Sequence, residues 1–143
     1  MISRFQPADM EEVLSIWLTA SIRAHDFIDP QFWQNKVNDM RTIYLPSAQT
    51  WVYKEHNTIA GFISIYGMTL AAIFVRPEEQ KRGIGGELLN YVKKQHAHLE
   101  LTAYKANTAS IAFYKKNGFV TVSEQTDTHT HMSEIAMTWR RAQ

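Results

Sequence analysis

The chain has 143 residues and carries 15 Lys and Arg against 14 Asp and Glu, a formal net charge of +1. This length fits one domain, predicted to span residues 1–143, and the 45% hydrophobic fraction argues against disorder. The near-neutral charge argues against a nucleic-acid partner, and the absence of cysteine excludes disulfides, thiolate zinc sites and a catalytic cysteine. No stretch approaches the apolar length of a membrane span, so we expect no membrane partner and a cytoplasmic protein.

The first third of the chain predicts a short strand followed by two helices. An i, i+3, i+4, i+7 apolar pattern begins at Val13 and is typical of one helix face. Asp29 as N-cap and Pro30 in the first turn open a second helix. Its apolar positions continue to Tyr44, and we expect it to end before Pro46.

The middle of the chain changes to β-rich runs. They are TWVYKE at 50–55, IAGFISIY at 59–66 and LAAIFV at 70–75. The third run is apolar throughout, as expected of a strand covered on both faces, and Pro77 ends it.

The last third predicts a helix from about 83 to 96, a strand LELTAY at 99–104, and a short helix from the N-cap Asn107 to Gly118. Two further strands follow. The order β-α-α-β-β-β-α-β-α-β-β predicts an α/β (α+β) fold, with a mixed central sheet of about six or seven strands and helices on both faces.

Three glycines, Gly83, Gly85 and Gly86, stand at the start of the helix predicted from residue 83. A glycine costs about 1 kcal/mol relative to alanine inside a helix, so three together need a reason. A helix N-terminus exposes unpaired N–H groups that bind anions, and a missing Cβ lets a ligand approach the backbone. The pattern is therefore typical of a pyrophosphate-binding loop. It is not a Walker loop, which needs Lys-Ser/Thr, nor a dinucleotide fingerprint, since Leu88 replaces the third glycine.

The spacing Gln80-x-x-Gly83-x-Gly85 resembles the acetyl-CoA motif Arg/Gln-x-x-Gly-x-Gly/Ala of the GNAT superfamily of N-acetyltransferases. A second stretch, from Asn107 through IAFY to Gly118 and Phe, resembles the second signature of that superfamily. The resemblance covers nearly the whole chain. It identifies a small single-domain bacterial-type member whose co-substrate is acetyl-CoA.

The resemblance implies that the two central strands separate and that the pantetheine arm of acetyl-CoA lies along one of them. Backbone groups would bond the arm, amides of the glycine loop would hold the pyrophosphate, and Asn107 would contact the cofactor, serve as a plain N-cap, or do both. The expected cofactor-binding residues are Phe74, Val75, Gln80, Lys81, Arg82, Gly83, Ile84, Gly85, Gly86 and Asn107.

The implied reaction is direct attack of a primary amine on the thioester. Tyr114 matches the tyrosine that protonates the departing CoA sulfur, and a phenol with pKa near 10 keeps that proton at neutral pH. Some members carry a glutamate base where this chain has Thr102. Glu100 lies two residues earlier on the same strand face and would act through water, or it is a surface residue.

The break between the first two helices is expected to line the amine pocket. Its candidate substrate residues are His25, Asp26 and Phe27, with a cap or a packed turn as the alternative role of His25. Two His-x-His pairs lack partnering carboxylates at a ligand-like spacing, so we expect no metal. The pairs are His96 with His98, and His129 with His131, of which the second could touch substrate.

The leading prediction is an acetyl-CoA-dependent N-acetyltransferase that acts on a protein lysine or an N-terminal amine. A small-molecule amine is an alternative acceptor. A non-catalytic acetyl-CoA-binding or sensing module is a further alternative. Thr102 at a position where some members have a glutamate base favours it, whereas Tyr114 argues against it, because a pure binding module needs no proton donor for the sulfur. Action on aminoacyl-tRNA is disfavoured by the +1 charge. The sequence leaves monomer and homodimer open.

Overall fold

A computed structural model describes residues 1–142 as one mixed sheet with helices on both faces, which confirms the predicted fold class. The strands are β1 (Ile2–Arg4), β2 (Gln49–Glu55), β3 (Thr58–Tyr66), β4 (Thr69–Val75), β5 (His98–Tyr104), β6 (Val120–Thr126) and β7 (Ser133–Arg140). The helices are α1 (Met10–Ala24), α2 (Pro30–Gln34), α3 (Val37–Asp39), α4 (Leu45–Ser47), α5 (Ile84–Lys93) and α6 (Thr108–Lys116).

The sheet has the strand order β1-β2-β3-β4-β5-β7-β6. Every neighbouring pair is antiparallel except β4 and β5, which are parallel. The helix α5 connects these two strands, as a parallel pair requires a crossover. The sheet therefore consists of two antiparallel halves that meet at β4 and β5.

Each face of the sheet carries its own hydrophobic core. Leu88 and Val92 of α5 and Ile111 of α6 pack with inward residues of β3, β5 and β7 on one face. Val13 and Trp17 of α1 pack on the other face with residues from α2, β2 and β3. Because β3 is buried along its whole interior, it anchors both layers. Within residues 1–142, no helix is both long and apolar enough to cross a bilayer.

The prediction of one continuous second helix is wrong. The helix α2 ends at Gln34, and the segment continues as the single turn α3, a wider turn at Met40–Tyr44, and α4. In that wider turn the N–H of Leu45 reaches back five residues to the carbonyl of Met40. Pro46 accounts for the wider turn that precedes it, because a proline ring clashes with the carbonyl four residues earlier in a regular helix and lacks a donor. Pro46 instead sits in the first turn of α4.

The predicted helix boundaries around the glycine loop and the second motif are largely confirmed. The helix α5 begins at Ile84 as expected but ends at Lys93, before the predicted 96. Asn107 is the N-cap of α6, and its side chain accepts a hydrogen bond from the Ser110 N–H. Gly118 follows α6 with φ +91°, a conformation that glycine adopts without a Cβ penalty.

Candidate active site

The cleft at the centre of the sheet exists because β4 and β5 pair at one point only. Thr69 and Glu100 form that register pair, and the Glu100 N–H donates to the Met68 carbonyl at 2.9 Å. Beyond this point the strands separate around a cleft of about 350 Å³. Its walls include Leu70–Phe74 of β4 and Thr102–Tyr104 of β5. The separation leaves backbone donors and acceptors of a central strand free for a ligand.

A bulge in β4 shapes this opening. Ser64 pairs with Ala72 and Ile65 with Leu70, so Ala71 is an extra residue without a partner on β3. Ala71 is exposed and lines the cleft. The expectation that β4 is covered on both faces is confirmed, since Leu70 belongs to one core and Ala72 to the other. The open cleft borders the edge of β4 that faces β5.

The hydrogen-bond pattern of β4 decides which of its backbone groups face the cleft. The Arg76 N–H donates to the Ala60 carbonyl at 2.7 Å, and antiparallel neighbours alternate between bonded and non-bonded pairs. The backbone groups of Phe74 therefore face β3, whereas those of Val75 and Ile73 point away from β3, toward the side of β5. Phe74 itself lines the cleft. Phe74 and Val75 both stay predicted contacts of the pantetheine arm.

The loop after β4 has a fixed left-handed backbone at two positions. Lys81 has φ +69° and Gly83, the N-cap of α5, has φ +83°. Gln80 holds the loop to the strand, since its Nε2 donates to the Val75 carbonyl at 3.1 Å. Ile84 is buried in the core and fixes the first turn of α5.

The start of α5 has the features of an anion-binding cradle. No side chain caps the helix. A Cβ on Gly86 would meet nothing within 4 Å, and one on Gly85 would lie 3.5 Å from the Phe113 ring. Exposed first-turn N–H groups beside open space allow a pyrophosphate to contact the backbone directly. The residues present thus fit the phosphate end of a coenzyme A molecule.

Arg82 does not contribute a free charge to this cradle. Its guanidinium donates two hydrogen bonds of 2.8 Å to the Glu55 carboxylate and another to Glu79. These hydrogen bonds raise the pKa of Arg82 and lower that of Glu55. Lys81 is exposed and makes no salt bridge with another residue of 1–142. Lys81 is therefore the cation available at the mouth of the loop.

Tyr114 projects from α6 into the cleft. Its side chain is 9% exposed and packs against the rings of Phe113 and Phe119, with centroids 5.5 and 5.6 Å apart. Burial raises the pKa of Tyr114, so its hydroxyl retains the proton at neutral pH. A protonated phenol at this place can donate to a leaving sulfur.

The opposite end of the cleft is lined with aromatic rings. His25 stacks on Trp33 with centroids 4.8 Å apart, and both rings contact Tyr104. Phe27 packs edge-on against His25 and Tyr104 at 5.7 and 5.8 Å. Asp26 is exposed and does not line the cleft. Of the three predicted substrate residues, His25 and Phe27 thus join the aromatic cluster and Asp26 does not.

The hairpin between β6 and β7 supplies the carboxylates of the cleft. Asp127 accepts hydrogen bonds from the Tyr104 hydroxyl at 2.5 Å, the His129 N–H at 3.0 Å and the Thr130 hydroxyl at 3.1 Å. Burial raises the pKa of Asp127, but these three hydrogen bonds outweigh it, and the net pKa lies below its ordinary value. Glu134 lines the same wall.

The predicted base region lies partly outside the cleft. Thr102 lines the cleft, but Glu100 is an exposed residue at the closed end, where β4 and β5 still pair. The sequence reasoning missed Tyr104 and Glu134. Tyr104 could have been predicted from the sequence, because it lies two residues after Thr102 and alternate strand residues share a face. Glu134 becomes a cleft residue only through the register of β7 opposite Tyr104.

In each of the two His-x-His pairs, the two histidines lie in different surroundings. His96 bonds the Val92 carbonyl through Nδ1 at 3.1 Å, and His98 bonds the Thr138 hydroxyl at 2.8 Å. His129 lines the cleft, and His131 is exposed. Over residues 1–142, no group of three or more His, Asp or Glu is arranged to hold a metal ion.

A parallel strand pair that opens beside a glycine-started, uncapped helix has room for an acyl-CoA and indicates an acyl-CoA-dependent transferase. The comparisons with known proteins agree. A family model described as an acetyltransferase (GNAT) domain matches residues 46–121. The chain is 36% identical over 140 residues to the peptidyl-lysine N-acetyltransferase YiaC of Escherichia coli K12, covering 97% of this chain and 96% of that protein. This protein belongs to the GNAT acetyltransferase family and is an acetyl-CoA-dependent N-acetyltransferase.

Other relatives share the sequence or the fold. The peptidyl-lysine N-acetyltransferase YjaB of Escherichia coli K12 is 28% identical over 119 residues, covering 82% of this chain and 80% of YjaB. The solution structure of apo YjaB superposes with a TM-score of 0.85 at 24% identity, covering 99% and 98% of the two chains. The PaiA N-acetyltransferase of Thermoplasma acidophilum, in complex with coenzyme A, has a TM-score of 0.82 at 18% identity, covering 99% and 98%.

Proposed function

We propose that this protein transfers the acetyl group of acetyl-CoA to the ε-amine of a lysine in a protein or peptide. The cleft carries the proposal: Tyr114 lies on one wall, and aromatic rings with the carboxylate of Glu134 lie on another. Aromatic faces and a carboxylate attract an ammonium group, and an aliphatic lysine stem packs well on aromatic rings. The similarity to YiaC over nearly the whole chain supports a peptidyl-lysine acceptor.

The cofactor would lie along β4 with its phosphates at the start of α5. Val75 and Ile73 would bond the pantetheine arm, and the amides from Arg82 to Gly86 would hold the pyrophosphate. Acetyl-CoA supplies the thioester whose acetyl group is transferred. Asn107 stays a candidate contact with the cofactor as well as the observed N-cap.

The reaction also requires that the acceptor ammonium lose a proton and that the departing sulfur gain one. An unperturbed lysine has a pKa near 10.4, so at pH 7 about one in 2,500 is neutral and deprotonation costs about 4.6 kcal/mol of barrier. Thr102 stands where some family members carry a glutamate base. We propose that the first amine proton leaves through water in the cleft beside Glu134, and Glu100 remains an alternative relay. The neutral amine nitrogen then forms its bond to the acetyl carbon, and the carbon–sulfur bond breaks as Tyr114 gives its hydroxyl proton to the sulfur. The nitrogen, positively charged after the attack, loses its second proton, which returns through water in the cleft to the Tyr114 oxygen.

Three acceptors separate the possibilities. A peptide with a blocked N-terminus and one internal lysine, a lysine-free peptide with a free N-terminus, and spermidine are each incubated with protein and acetyl-CoA. Mass spectrometry should find one added acetyl group on the lysine peptide and little on the other two. Acetylation confined to the free N-terminus or to spermidine would contradict the lysine proposal. The cytoplasmic location and the lack of nucleic-acid and membrane partners stay predictions.

A further inference from the structure

His25 connects the two helices on either side of the cleft. It follows the last residue of α1, and its Nδ1 contacts the Ser21 carbonyl at 2.8 Å. Its Nε2 lies 3.3 Å from Nδ2 of Asn107, the N-cap of α6, 82 residues further along the chain. His25 is 7% exposed and Asn107 is 9% exposed, so water does not compete freely for these contacts.

The partners fix both the histidine tautomer and the amide orientation. The Ser21 carbonyl only accepts, so Nδ1 carries the proton, and in the neutral ring Nε2 is then an acceptor. Asn107 therefore presents its NH₂ group to His25 and its Oδ1 to the Ser110 N–H, as observed at 3.2 Å. A flipped amide would set oxygen against the Nε2 lone pair and NH₂ against the Ser110 N–H. Each contact thus excludes the alternative orientation of the other.

We propose that neutral His25 is a positioning residue that holds the Asn107 side chain, and with it the start of the helix that carries Tyr114. The sequence left two roles open for His25, a residue of the acceptor pocket or a cap or packing residue of the turn. The structure engages both of its ring nitrogens with the protein, so its action on the reaction is through Asn107 and α6.

Protonation of His25 would break this arrangement, because an added N–H at Nε2 would face the Asn107 NH₂. Burial lowers the pKa of His25, outweighing the hydrogen bond to the Ser21 carbonyl, which raises it. The contact is therefore complete above the unfolded-state pKa near 6.5 and is lost as pH falls through the lower folded-state value. The other titratable groups that line this cleft are Lys36, Tyr104, Tyr114, Asp127, His129 and Glu134.

Nuclear magnetic resonance of ¹⁵N-labelled imidazoles tests the contact without any cofactor. At pH 7.5 the His25 ring should be the Nδ1–H tautomer. In Asn107→Asp a carboxylate oxygen replaces the NH₂ group and favours a protonated Nε2, so the His25 titration should move upward by at least one pH unit. The His96 signal should not move between the two proteins, since His96 contacts the Val92 carbonyl and not Asn107. An Nε2–H tautomer, or no movement in Asn107→Asp, would overturn the proposal.

Calorimetric binding of coenzyme A tests whether the contact between His25 and Asn107 supports cofactor binding. Only this second experiment rests on the proposed function. His25→Gln keeps an acceptor oxygen near the Nε2 position, whereas His25→Phe keeps an aromatic ring for Trp33 without any acceptor. We expect the Kd at pH 7.5 to rise about tenfold in His25→Phe and by less than threefold in His25→Gln. Across the pH range in which nuclear magnetic resonance shows the His25 ring to titrate, wild type should weaken more than His25→Gln, which has no group to titrate here. Equal Kd values in the two variants, or equal pH dependence, would contradict positioning through this hydrogen bond.

Discussion

Thr69 and Glu100 form the single register pair that joins the two halves of the sheet within residues 1–142. Their junction fixes where the cleft begins, because β4 and β5 diverge from it. On one side of the opening, β4 presents the backbone of Val75 and Ile73, and on the other, α6 presents Tyr114. The divergence of β4 and β5 therefore creates the cleft into which the reactive groups of the site project.

Replacement of Tyr114 by phenylalanine removes the proposed proton donor with little change in packing. General acid catalysis typically contributes 10²–10⁴-fold, so kcat should fall by about a hundredfold or more while the KM for acetyl-CoA changes little. The free energy of unfolding should change little, because burial and not a hydrogen bond raises the pKa of this hydroxyl. Steady-state kinetics with a lysine peptide provide the measurement.

The matched control is Tyr91→Phe, which removes a hydroxyl from an exposed tyrosine on α5. It should leave kcat unchanged. If both variants have wild-type kcat, Tyr114 is not the acid.

Alanine at Gly86 and at Gly83 should act alike on binding and oppositely on stability. Gly86 lies inside the first turn of α5 with room for a Cβ, so Gly86→Ala should stabilise the free protein by up to about 1 kcal/mol. Gly83 has φ +83°, so Gly83→Ala should destabilise it by about 1–2 kcal/mol. Both methyl groups would crowd the proposed phosphate position, and the Kd for coenzyme A should rise at least tenfold in each.

Urea unfolding and calorimetry measure the two quantities separately. A Gly86→Ala protein that binds coenzyme A as tightly as wild type would show that the phosphates do not lie at the start of α5.

Lys81 and Arg82 are neighbours with different expected effects on cofactor binding. Arg82 already pairs with two carboxylates, whereas Lys81 makes no salt bridge within the described residues. Lys81→Gln should weaken coenzyme A binding several-fold, and the loss should shrink as salt is raised. Arg82→Gln should have a smaller effect at every salt concentration. The reverse order would mean that Arg82 leaves Glu55 and Glu79 to bind phosphate.

The hydrogen bond from Tyr104 to Asp127 should contribute stability in a pH-dependent manner. Tyr104→Phe removes a donor to a charged acceptor and should cost about 1–2 kcal/mol at pH 7. The pKa of Asp127 is lowered in the folded protein, so its contribution is present above the unfolded value near 3.9 and is lost as pH falls through the folded value.

Unfolding curves of wild type and Tyr104→Phe at pH 7 and pH 3 provide the measurement. The difference between the two proteins should be largest at pH 7 and should shrink toward pH 3. A difference that stays constant over this range would show that the ionised carboxylate of Asp127 does not contribute to it.

The parts of the site that the sequence predicted depend on local chemistry. The Asn107 cap, the glycine start of α5 and the stop at Gly118 each follow from backbone requirements within a few residues. The second motif also placed Tyr114 on a helix face, which turned out to be the face that lines the cleft.

The parts that the sequence did not predict depend on register. The bulge leaves Ala71 without a partner on β3, and the pairing of Arg76 with Ala60 turns the backbone of Phe74 toward β3 and that of Val75 away from it. Glu134 enters the cleft because β7 pairs with β5 opposite Tyr104. A slip of one residue in either register would reverse these assignments, and no local pattern fixes them.

Thermal unfolding with and without acetyl-CoA tests the central claim most directly. With ligand at about a hundredfold over its Kd, mass action predicts about 2.7 kcal/mol of stabilisation, or several degrees in Tm, for wild type. ATP and NAD should give smaller shifts, and Gly86→Ala should lose most of the acetyl-CoA shift. No shift in wild type, or a full shift in Gly86→Ala, would contradict a cofactor site at the glycine-started helix beside the open strands.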